Sequence, residues 1–208
     1  MTDVGVQLYS VREPLVAGAD AVLGRLAAIG YRLVEPTFGL LGGDPPGFRR
    51  LLGTHRLTAC ALHAPILGPL RDEIAAAALA IGARTVVVPS IPAAEFATAA
   101  GVARSAERLA EAATWLAGRG LALAYHNHHW ELAHRPAGRP ALELLAALLP
   151  PSVALEVDVY WATVGGADVP ALLHQFGQQG AVGRGRRAGH GRGGPAVDRR
   201  RVRRRRHR

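Results

Sequence analysis

The chain has 208 residues, 49% of them apolar, which is enough for one sizeable core. Its 25 arginines, with no lysine, outweigh 16 acids to give a net charge of +9. No basic N-terminal segment leads into an apolar run, and no stretch reaches about 18 uninterrupted apolar residues, which argues against a secretion signal or a membrane span.

The charge is not spread evenly. Residues 183–208 hold 12 arginines and one acid, Asp198, whereas residues 1–182 hold 13 arginines and 15 acids. The body is mildly acidic and the end strongly basic. Cys60 is the only cysteine, which excludes an internal disulfide and fits a reducing cytoplasm, the expected location. It reads as a small core residue.

Strand and helix signals alternate with short punctuation, the pattern of repeated βα units. Val4–Tyr9 predicts a first strand, and Asp20 caps a helix that stops at Gly30. Tyr31–Glu35 predicts a second strand, followed by a helix over Pro45–His55. Thr58–His63 gives the third strand, and Pro69–Ile81 an Ala-rich helix stopped by Gly82. The β-branched run Thr85–Pro89 is the fourth strand, with a long helix over Ala93–Leu116. Leu121–Glu131 is the fifth strand and Pro140–Leu149 its helix. Val153–Asp158 is the sixth strand, and Asp168–Phe176 a helix capped by Asp168 with Pro170 in its first turn.

The periodicity stops at Phe176, so the expected organisation is a folded region over 1–176 and a disordered Gly/Arg-rich tail over 177–208. The simplest origin of that tail is a shifted reading frame in GC-rich DNA.

Chemistry concentrates where strands end. Leu121-Ala-Leu-Ala-Tyr-His-Asn-His-His-Trp-Glu131 runs from apolar residues into ligand types. In a strand Ala124, His126 and His128 share one face, and Tyr125 and Asn127 the other. Asp158 closes an apolar strand, where a buried carboxylate is costly unless paired or metal-bound. Glu156 shares its face, two residues deeper, where an ion pair with an arginine competes with a catalytic role. Glu35 and His63 also end strands and should reach the mouth of a parallel sheet or barrel. Trp161 is either an apolar wall for a sugar ring or a core residue.

Four segments, Gly5-Val-Gln-Leu-Tyr-Ser-Val-Arg-Glu13, Gly30-Tyr-Arg-Leu-Val-Glu35, Tyr125-His-Asn-His-His-Trp-Glu131 and Leu155-Glu-Val-Asp-Val-Tyr-Trp161, carry a resemblance. Together they resemble the sugar phosphate isomerase/epimerase family, the xylose-isomerase-like TIM barrels that include inosose dehydratases and are related to type IV apurinic endonucleases. The resemblance spans residues 3–176 and implies an α/β fold, a TIM (β/α)8-type barrel left incomplete at about six βα units. It also implies a divalent metal, Mn²⁺, Mg²⁺, Co²⁺ or Zn²⁺, held at the strand C-termini by ligands from strands five to eight. Asp158 matches the strand-six Asp, and either His126 or Glu131 supplies the strand-five ligand. The His-x-Lys-Asp-like motif of strand seven and the Glu of strand eight have no counterpart here, and His190, among glycines and arginines, does not replace them.

The implied reaction is isomerisation or epimerisation beside the carbonyl of a small sugar or polyol, with His126, His128, Glu35 and His63 moving protons or contacting substrate. With half the ligand shell, this chain is expected to be catalytically impaired. Unpaired edges on strands one and six invite aggregation, and a homo-oligomer is one expected form of partner. Two alternatives stand beside this: an inosose-dehydratase-like lyase, and a non-catalytic barrel remnant whose basic tail binds nucleic acid non-specifically. An endonuclease would need a multi-metal, His-rich site.

Overall fold

The computed structural model describes residues 4–179; of the segment read as a disordered tail from 177, residues 177–179 continue a helix, and the rest, with His190, lies outside the described residues. Among the described residues seven short strands form: β1 (Gly5–Gln7), β2 (Leu33–Glu35), β3 (Thr58–Ala59), β4 (Ala61–His63), β5 (Thr85–Val88), β6 (Ala122–His126) and β7 (Val153–Glu156). Every pairing is parallel, in the orders β1-β2-β3 and β4-β5-β6-β7, so neighbours in sequence are neighbours in space. β3 and β4 are two halves of one predicted strand, parted at Cys60. That strand stays stitched to its neighbour, because Cys60 N donates to Val34 O, His63 N donates to Pro36 O, and Thr37 bridges His63. The six predicted strands are therefore all present.

Eight α-helices alternate with them: α1 (Arg12–Ile29), α2 (Pro45–Thr54), α3 (Arg71–Ile81), α4 (Ala99–Ala117), α5 (Trp130–Ala133), α6 (Ala141–Leu148), α7 (Val159–Val164) and α8 (Val169–Gln179). Half of the starts follow capping chemistry. Asp44 accepts from Gly47 N ahead of α2, Thr98 from Gly101 N ahead of α4, and Asp168 from Ala171 N ahead of α8. α1 and α3 end where expected, on Gly30 (φ 117°) and Gly82 (φ 83°), left-handed positions that favour glycine.

Several boundaries differ from expectation: the first strand stops at Gln7 ahead of a 3₁₀ turn, and the sixth stops at Glu156, with Asp158 capping α7. α1 begins at Arg12 and is interrupted at Gly18, so Asp20 lies within it and pairs instead with His55 Nε2 at 2.8 Å. The predicted 93–116 helix splits into a 3₁₀ turn over Ala93–Ala97 and α4, because Thr98 adopts extended geometry to cap α4. The fifth strand stops at His126, and residues 127–129 turn directly into α5. The ligand-rich stretch is thus half strand, half turn.

The strands' two faces bury different residues. Leu62, Val86, Leu123, Tyr125 and Leu155 point toward the helices and join the main core, where each fully buried side chain of this size contributes about 1.5–3 kcal/mol. The other face holds a separate small cluster, Ala61, Val87 and Ala124 with Ala154 packed on it. Small side chains suit the inside of a curled sheet. His63, His126 and Glu156 each stand one pleat beyond one of these alanines, so period-two geometry sends them to that same interior at the strand ends.

Candidate functional site

The ends of five strands converge on one group of polar side chains. Glu35 ends β2, His63 β4, His126 β6 and Glu156 β7, while Gln7 ends β1. His63, whose side chain is 2% exposed, is the centre. Its Nε2 lies 3.1 Å from Glu35 Oε2 and 3.4 Å from Glu156 Oε1, and the Gln7 amide nitrogen sits 3.3 Å from the ring nitrogens. His126 Nδ1 lies 3.1 Å from Glu156 Oε1, and its Nε2 faces Asp158 Oδ2 at 3.6 Å. Carboxylates and imidazoles alternate: Glu35, His63, Glu156, His126, Asp158.

Three half-buried carboxylates packed this closely require compensating positive charge. The hydrogen bond from His63 holds the Glu35 carboxyl below its ordinary range, against the opposing effect of burial. Burial presses the His126 imidazole down, but the hydrogen bond and charge of Glu156, aided by Asp158 and Glu131, outweigh it and raise its pKa. Cys60 Sγ lies 3.6 Å from Glu35 Oε1; burial, reinforced by that carboxylate, pushes the thiol up to about 12.

The structure brings Glu35, His63, His126 and Asp158 together, the first three at strand ends and Asp158 two residues past β7, as the N-cap of α7. His128 lies beside the group without bonding to its carboxylates. It stacks flat on Trp130 with ring centroids 4.3 Å apart, and its ring lies 5.4 Å from that of His126. Burial and the nearby His126 lower its pKa, which favours its neutral form.

Glu131 corrects the expectation of a strand-five ligand. It is fully buried at the start of α5, with one oxygen accepting from Tyr125 OH and the other from His128 N. Both oxygens serve the turn that carries His126, and neither belongs to the cation-type cluster. Glu156 is the residue the sequence reading underweighted. Its partners are His63 and His126 rather than an arginine; the signal was its place on the Asp158 face, one pleat deeper. Trp161 sits near His128 and His129, ring centroids 5.9 and 5.4 Å away, and forms part of an aromatic wall beside the cluster.

Glu35, His63 and Glu156 offer one ligand atom each, all within 4.8 Å of one another. Two donors each about 2.1 Å from one ion lie about 3.0–3.4 Å apart in octahedral or tetrahedral geometry, which the two His63–carboxylate distances match. The donor set therefore fits a divalent ion.

Neither a protein-family model nor a curated protein matches the chain. Solved structures do match. A sugar phosphate isomerase/epimerase from Parabacteroides distasonis superposes with a TM-score of 0.72 at 21% identity, covering 85% of this chain and 72% of that one. An AP endonuclease of family 2 from Brucella melitensis gives 0.61 at 20% identity, covering 88% of this chain and 77% of that one. An L-ribulose 3-epimerase gives 0.59 at 17% identity, over 88% and 68%. Likeness at these identities establishes architecture, and the chain has the fold of the xylose-isomerase-like TIM barrels.

Proposed function

We propose that this barrel moves a proton beside the carbonyl of a small sugar or polyol, an isomerase or epimerase reaction, with a divalent ion held by Glu35, His63 and Glu156. The observation that carries this reading is the convergence of those three donors from β2, β4 and β7. The architecture shared with an isomerase/epimerase and an epimerase supports the reaction class. Oxygen and nitrogen donors suit Mn²⁺, Mg²⁺, Co²⁺ or Zn²⁺. The chemistry such an ion supplies when bound is polarisation of the carbonyl and stabilisation of the enediolate charge.

The chain's own residues do the rest. His126 is fixed through Nδ1 on Glu156, which leaves Nε2, loosely opposed by Asp158, to exchange a proton with substrate. Trp161 and Trp130, beside the cluster, offer apolar faces for a sugar ring. Among the described residues no strand pairs with the outer edges of β1 or β7. The test is hydrogen exchange at the carbon next to the carbonyl, followed by NMR in D₂O with Mn²⁺ and a panel of ketoses and inososes. Deuterium incorporation that falls at least about 100-fold in His126→Gln supports the reading. Loss of water from an inosose would shift it to a lyase, and no exchange with any sugar would overturn it.

A further inference from the structure

We infer that Asn127 is a positioning residue that locks residue 158 to the end of β6 and so fixes where the Asp158 carboxylate meets His126. The inference rests on the cation and proton-transfer reading above and extends it to a side chain that touches neither ion nor substrate.

The β6–β7 ladder ends at the His126–Glu156 pair. Beyond it the two chains part, one into the turn at 127–129 and the other into α7. The Asn127 side chain, 1% exposed, takes over where backbone pairing stops. Its Oδ1 accepts from Asp158 N at 2.8 Å, and its Nδ2 reaches Asp158 O and His128 O, both at 3.3 Å. The Asp158 N–H requires an oxygen opposite it, so the orientation of the amide is settled by the backbone. Asp158 is then held twice. Its backbone is clamped by Asn127, and its Oδ1 accepts from Trp161 N at the start of α7, which leaves Oδ2 facing His126 Nε2. His126 in turn bonds Glu156, a donor of the candidate cation site. A single buried amide thus stands at the head of the series Asn127, Asp158, His126, Glu156. Outer partners of this kind orient the groups that bind an ion, and their loss weakens binding without removing a ligand.

The test uses the full chain with Mn²⁺ as probe, titrated by calorimetry well below the melting midpoint. Asn127→Ala deletes the clamp. Asn127→Asp, nearly isosteric, keeps an acceptor for Asp158 N–H but turns an acceptor toward the Asp158 carbonyl. Each, like Asp158→Asn, should raise the Mn²⁺ Kd by about 10-fold. The double variant Asn127→Ala/Asp158→Asn should be no worse than the weaker-binding single, because both act along one series. An unchanged Kd beside a lowered melting midpoint, or effects that multiply in the double variant, would overturn the inference. If the wild type takes up no Mn²⁺, the cation reading fails by itself. The clamp is then read from amide exchange: in Asn127→Ala the Asp158 amide should exchange at least about 10-fold faster than in wild type while the β6–β7 ladder amides hold their protection. Unchanged exchange at Asp158 would overturn it.

Discussion

His63 at the end of β4 and Glu156 at the end of β7 stand 3.4 Å apart although β5 and β6 lie between their strands. Across a flat sheet three strand spacings amount to roughly 14 Å. The contact exists because the sheet curls and turns its alanine-lined face inward. Curvature makes this site, and each residue in it depends on strands it does not touch.

Glu131 should behave as a support of the turn. Glu131→Gln keeps an acceptor for His128 N and replaces the acceptor for Tyr125 OH with an amide N–H that the hydroxyl can accept by turning, so a melting experiment should show a change within about 1 kcal/mol. Glu131→Ala empties a fully buried position and strands both partners, costing about 2–4 kcal/mol. Neither variant should alter Mn²⁺ affinity by more than a few-fold; a large loss with Glu131→Gln would restore it as a ligand.

The pH dependence of metal-free stability should carry two opposite signatures. His126 has a folded pKa raised above 6.5, so its contribution is fully present below about pH 6.5 and fades as pH climbs through the folded value. Glu35 has a folded pKa lowered below 4.5, so its contribution is present above about pH 4.5 and is lost as pH falls through the folded value. Urea melts across pH should show the difference between wild type and His126→Gln shrinking on the alkaline side. The corresponding difference for Glu35→Gln should shrink on the acid side. The reverse slopes would contradict the contacts described.

Cys60, half-buried with its thiol pushed up to about 12, should be inert at neutral pH. Native protein should react with a thiol-specific disulfide reagent at least about 100-fold more slowly than protein in denaturant. Equal rates would mean that the β3–β4 break is open to solvent.

Much of this was legible in the sequence because strand ends announce themselves. Glu35, His63, His126 and Asp158 all follow apolar runs, which points each to the C-terminal end of a strand and so to the mouth of a parallel sheet. Two things were not legible. Whether His126 or Glu131 faces the site depends on where β6 stops, and only the turn at 127–129, fixed by Asn127 and Glu131, settles that Glu131 points into the core. The partners of Glu156 come from β4 and β6, and no local pattern in Val153–Asp158 records how far the sheet curls.

Gly165 should tolerate no side chain. A Cβ there would lie 2.6 Å from both His129 O and Leu132 Cβ, where the end of α7 packs on the start of α5. Its φ of −74° is ordinary, so the obstacle is contact alone. Gly165→Ala should lower stability by about 1–3 kcal/mol in a thermal melt, and a neutral result would show that α5 and α7 are free to separate.

The convergence of Glu35, His63 and Glu156 on one cation is tested most directly by titrating Mn²⁺ into the metal-free chain and into His63→Ala and Glu156→Gln, with stoichiometry read by calorimetry. The expected result is one ion per wild-type chain, with affinity reduced at least about 10-fold in each variant while both remain folded. No uptake by the wild type, or equal uptake by all three proteins, would contradict it.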